Sequence, residues 1–236
     1  NVPRQETRPV RRAGLFLVAT ACGRIGFDPT PDADSPATPA LVQQQGQTTY
    51  DMPLLSIVLP APARVGDLLV MCGASYDVDL TGVSGGGTWV EAVHDGGTDN
   101  VDIWYTTVTT ATTTIVVDGT GTTRSLWGQV SEWSGVAGSV DTTHTASGSS
   151  TLDVAIGIAT TTAGRELAYA CVVDATGSTF GTPSPGAWTA LGGLGDGNIS
   201  QLEWYTISSG PSSYTIAVPH SGNYWDAATA TFIAEP

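Results

Sequence analysis

Lysine is absent from this chain, and its eight basic residues are all arginine. Against 22 acidic residues they leave a net charge of −14. Binding of nucleic acid depends on basic side chains that neutralise phosphates, so a nucleic-acid partner is excluded, as is peripheral attachment to anionic lipid. Long apolar runs are also missing. A membrane-spanning helix takes about 20 apolar residues, and the longest candidate, Ala13 to Ala21, has nine. No segment sustains helical periodicity. The chain holds no H-x-H and no H-E-x-x-H, so the short histidine motif of zinc proteases is lacking.

What is present begins with RRAGLFLVATACGR at residues 11–24. Arg4, Arg8, Arg11 and Arg12 precede a short apolar stretch that ends in Ala19-Thr20-Ala21, the layout of a secretory signal peptide over 1–21. Its removal takes four arginines and one glutamate, deepening the charge from −14 to −17. The residue after the A-x-A site is Cys22. The run ATAC resembles the lipobox of bacterial lipoproteins, with Ala19 where leucine is usual, and the following GRIGFD resembles the leaders of bacterial surface lipoproteins. That resemblance implies cleavage before Cys22, acylation of its thiol and attachment to the cell envelope, where several acyl chains together hold a soluble domain. The alternative is a secreted protein with Cys22 free. Residues 28–48, DPTPDADSPATPALVQQQGQT, have too few large apolar side chains to offset ordering entropy. We therefore expect 22–48 to be a disordered tether, kept extended by its prolines.

Residues 49–236 form one compositional block rich in Thr, Val, Ser and Gly. Runs such as SIVLP, DLLVMCGA, VDIWYTTV and LWGQVSEW have strand length and composition, and Gly, Asp, Asn and Ser clusters separate them. The block repeats. Cys72 and Cys171 are 99 residues apart, as are Trp89 and Trp188, and Trp133 and Phe232; Trp104 and Trp204 are 100 apart. The repeat units span about 54–133 and 153–232, with six strands each. Either each unit closes its own small sandwich or the two build one. The joint around 134–150 is short and lacks proline. We therefore expect an all-β, jelly-roll-like, pseudo-duplicated β-sandwich of about twelve strands over 49–236. The segment EWSGVAGSVD closing the first unit resembles a β-domain of bacterial exported proteins, a resemblance of strand pattern that implies no particular chemistry.

The candidate functional residues are sparse. Cys72 and Cys171 lie in apolar runs and are read either as buried thiols or as a disulfide, which requires Cα atoms within about 7 Å. The stretch His94-Asp95-Gly96-Gly97-Thr98-Asp99-Asn100, with Asp102, concentrates oxygen ligands of the kind Ca²⁺ takes; Asp95 and Asp99 are the calcium candidates, and a plain polar turn is the alternative. No other cofactor is expected. Glu91, Glu132 and Glu203 are the carboxylates a glycosidase could pair across a cleft. Trp89, Trp104, Trp188 and Trp204 recur between units and read as core. Tyr76, Trp127, Tyr224 and Trp225 do not recur, and loop-borne aromatics on a rigid scaffold are where binding concentrates. The expected function is an exported, lipid-anchored envelope protein with a binding or structural role, its partner a glycan or surface polymer. A secreted hydrolase acting on polysaccharide is the alternative.

Overall fold

A computed structural model describes residues 37–236 except 77–78, 97–99, 121–124, 149–153, 162–163, 175–179, 185–187, 196–199 and 220–223. The segment 1–21 expected to be a signal peptide, Cys22 and Asp99 lie outside the described residues. Every regular element among the described residues is a strand.

The first half contains β1 (Ala40–Thr49), β2 (Leu54–Val58), β3 (Leu68–Ser75), β4 (Leu80–Ser84), β5 (Val90–Asp95), β6 (Val101–Thr107), β7 (Thr114–Gly119) and β8 (Leu126–Ser134). The second contains β9 (Val136–Gly148), β10 (Val154–Thr160), β11 (Glu166–Asp174), β12 (Thr189–Gly195), β13 (Ser200–Ser208), β14 (Ser212–Val218) and β15 (Trp225–Ala234). Each half builds a five-stranded antiparallel sheet, ordered β1-β8-β3-β6-β5 in one and β9-β15-β11-β13-β12 in the other. Each also builds a smaller sheet, β2-β7-β4 and β10-β14. A single bridge between Ser184 and Ala217 marks where the second half would carry its own β4. The internal repeat is thus a repeat of strand order, with Cys72 paired to Ile103 in one half and Cys171 to Glu203 in the other.

The sandwich class is as expected, but the layering and strand count are not. Where one sandwich of about twelve strands was expected, the described residues form fifteen strands in four sheets. Each half closes its own core, one around Leu55, Ile57, Leu69, Met71 and Ile115, the other around Ile156, Ala170, Val172 and Ile216. A third core joins the halves through their large sheets and includes Leu68, Val70, Trp133, Leu167, Val173 and Phe232. The physical cause is visible in the central strands. In β3, Leu68, Val70, Cys72 and Ala74 face the shared core while Leu69 and Met71 face the first half's own core. In β11, Leu167, Tyr169, Cys171 and Val173 alternate likewise with Ala168, Ala170 and Val172. Both strands are buried along their whole length. Strands covered on both faces read as continuous apolar runs, whereas one-sided β2 and β10 alternate buried with exposed or half-buried residues.

Part of the segment expected to be disordered is a strand. Residues 40–49 form β1, which pairs with β8 from Ala40–Ser134 to Thr49–Leu126. Its glutamines did not keep the segment out of the sheet, because β8 would otherwise leave a backbone edge unpaired. Gln43 takes polar partners of its own: Nε2 donates to Ala61 O at 3.0 Å, and Ala61 N donates back to Oε1 at 3.0 Å. Gln44 Nε2 reaches across to Leu191 O of the second half. Ala37 N donates to Glu235 O at 2.9 Å, and Glu235 N donates to Gly135 O at 3.1 Å.

Candidate functional site

The hairpin of β5 and β6 gathers the titratable groups. Glu91 and His94 are three residues apart on a strand, a spacing that ordinarily puts side chains on opposite faces. Between Glu91 and Val93 the register slips by one residue: Glu91 pairs with Trp104, Val93 with Ile103 and His94 with Asp102. A bulge of this kind re-aims a side chain. Here it brings Glu91 Oε1 to 3.8 Å from His94 Nδ1. His94 Nδ1 also lies 2.5 Å from Asp102 Oδ1. Asp102 is fully buried, and its Oδ2 has no hydrogen-bond partner among the described residues. Asp79, just before β4, accepts a bond of 3.2 Å from Asn100 Nδ2.

Burial pushes the Asp102 carboxyl up to about 7, opposed by its hydrogen bond and attraction to His94. His94 is raised chiefly by that bond, despite its own partial burial. Such a pair can exchange one proton near neutrality and can supply nitrogen and oxygen ligands to an ion. The ligand atoms of Glu91, His94 and Asp102 all lie within 4.8 Å of one another. Of the two calcium candidates, Asp99 lies outside the described residues. Asp95 belongs to neither metal-compatible cluster found among the described residues, and its carboxyl is raised by burial first and by Asp226 second.

The core shared by the two halves holds a second polar group. Cys72 and Cys171 form a disulfide with Cα atoms 6.1 Å apart, resolving the two sequence alternatives. Beside it Tyr169 Oη donates to Glu203 Oε2, and Gln201 Nε2 donates to Glu203 Oε1 at 3.0 Å and to Cys72 O at 3.3 Å. Burial raises Glu203 to about 8, partly offset by the bonds from Tyr169 and Gln201. Glu132 is likewise fully buried; its Oε1 accepts Arg64 N at 2.8 Å, and Gln43 Nε2 bonds its Oε2. Of the three nominated glutamates only Glu91 reaches solvent, so they cannot face a polysaccharide as a pair.

The aromatic candidates separate. Trp127 is buried in the shared core and Trp225 in the second half's core, because both fall within strands rather than loops. Tyr76 packs half-buried against the shared core. Tyr224 stays exposed, at 54%. The recurring Trp89, Trp188 and Trp204 are core residues as expected, and Trp104 packs against the first half's core. An open groove of about 440 Å³ lies instead on the second half, where β9 passes β10 and β14, lined by Thr142, His144, Ile158, Ser213, Tyr214 and Thr215. Tyr214 is braced edge-on by Trp188, with ring centroids 6.1 Å apart. Sequence reading passed over this groove because its residues come from three strands up to 73 positions apart; the alternating SSYTIAV, which turns Tyr214 toward its own sheet's partner layer, was the one local signal. Compared with protein-family models, curated proteins and solved structures, the chain matches none.

Proposed function

We propose that this chain is an exported, lipid-anchored protein of the cell envelope that binds a glycan or similar surface polymer. The Cys72–Cys171 disulfide carries the reading, since such cross-links persist in oxidising compartments. It supports the export that the ATAC leader implies. The groove lined by Tyr214 supports a polymer partner: its half-buried ring is braced by Trp188, with hydroxyls and an imidazole around it. Binding is favoured over hydrolysis because two of the three candidate glutamates are sealed from solvent.

The test has two arms on the full chain in a lipoprotein-processing host. The wild type partitions into the detergent phase and Cys22→Ser into the aqueous phase; an unchanged partition removes the anchor. On a glycan array, Tyr214→Ala lowers the affinity of any bound glycan by at least about tenfold, or roughly 1.4 kcal/mol. Equal binding by the variant removes the groove from the reading.

A further inference from the structure

We propose that Glu91, His94 and Asp102 form a binding site for a divalent transition-metal ion of the zinc class. The proposal is independent of the groove and of the lipid anchor. One imidazole and two carboxylates are a donor set suited to zinc, whereas calcium favours six to eight oxygens. Zinc sits about 2.0–2.2 Å from such donors, so the three ligand atoms must draw in from their 4.8 Å envelope. Glu91 and His94 can do so: their side chains are 40% and 39% exposed, which also gives the ion a way in.

A second observation points to a ligand. Asp102 is 0% exposed, yet its Oδ2 has no partner among the described residues. Burying a carboxylate oxygen without a partner is costly, and a bound cation would relieve that cost.

The repeat adds an internal control. The second half reproduces the bulge, with register slipping between Ala190 and Gly192. At the positions of Glu91, His94 and Asp102 it carries Ala190, Gly193 and Leu202. The backbone device is common to both halves, and the donor set belongs to one. On binding, the proton held between His94 Nδ1 and Asp102 Oδ1 leaves to solvent, the Nδ1 lone pair goes to the metal, and Asp102 Oδ2 supplies the carboxylate bond.

The test is calorimetric titration of the chelator-treated full chain with ZnCl₂ and, separately, CaCl₂, in buffers of different ionisation heat. One Zn²⁺ per chain is expected, with proton release and at least about tenfold preference over Ca²⁺. Asp102→Asn risks the fold, so the decisive variants are the half-exposed His94→Gln and Glu91→Gln. Each should weaken Zn²⁺ by more than the roughly 10–100-fold that outer-sphere partners are worth. The proposal is overturned by no saturable Zn²⁺ binding to the wild type, by a preference for Ca²⁺, or by Zn²⁺ binding that survives unchanged in His94→Gln.

Discussion

The two halves share a strand order and differ in where they put polar groups. In the first half Val70, Val101 and Ile103 present an apolar face to the shared core. At the matching positions the second half has Tyr169, Gln201 and Glu203, buried and bonded to one another beside the disulfide. Conversely, Glu91, His94 and Asp102 have Ala190, Gly193 and Leu202 as counterparts. One scaffold thus carries chemistry on the outer end of one copy and a polar seam on the inner face of the other. A duplicated fold frees each copy from having to do both.

The strongest way to break this comparison is to separate the copies. A chain holding only 37–135 would expose the face of Leu68, Val70, Ile103, Trp127 and Trp133. We expect it to aggregate or to lose its cooperative near-ultraviolet signal; a soluble monomer with a sharp melt would show that each copy stands alone. Next in size is the cross-link. Cys72 and Cys171 are 99 residues apart, and closing a loop of about 100 residues stabilises by up to roughly 4–5 kcal/mol in the chain-entropy picture. Cys72→Ala with Cys171→Ala should lower urea-unfolding stability by a few kcal/mol, and a change below about 1 kcal/mol would mean the halves are held by packing alone.

The effect per pH unit on the polar seam is the smallest step. Glu203 has a carboxyl raised from 4.5 to about 8 in the fold. The native state therefore keeps a proton that the unfolded chain has released over that window. Stability should fall as pH rises from about 5 to 8, by up to roughly 1.4 kcal/mol per unit. Glu203→Gln removes this slope; equal slopes in variant and wild type would assign the pH dependence to Asp67 or Asp102, whose carboxyls are also raised.

Much of the fold was legible because β-structure leaves local marks. The 99-residue offsets of the cysteines and tryptophans expose the repeat. The layering was not legible: LLSIV is apolar at four of five positions and reads much as DLLVMCGA does, yet only Leu55 and Ile57 of β2 are buried, because a continuous apolar run fits a strand in many architectures. β1 was missed because its polar sequence says nothing of the edge it completes. For the site, His94 and Asp102 were visible as part of a cluster of ligand-type residues, but Glu91 was read only as a candidate glycosidase carboxylate. Bringing Glu91 to His94 needs the bulge at Ala92, which decides the face each side chain takes. Trp225 misled because it follows the turn-rich HSGNY, and Trp127, already inside the strand run LWGQVSEW, was nominated only because it does not recur; both are strand core.

The hydrogen bonds from Ala37 to Glu235 and from Glu235 to Gly135 bring the start of the sheet structure, its end and the joint between copies to one place. Gly135 holds a left-handed backbone there, and a side chain in its stead would meet Ala37 and Thr38 at 3.0 Å. The chain is in effect a ring of two copies opened at one of two nearly equivalent points. Sealing Glu235 to Ala37 and opening the ring at Gly135 would exchange the order of the copies without moving a strand.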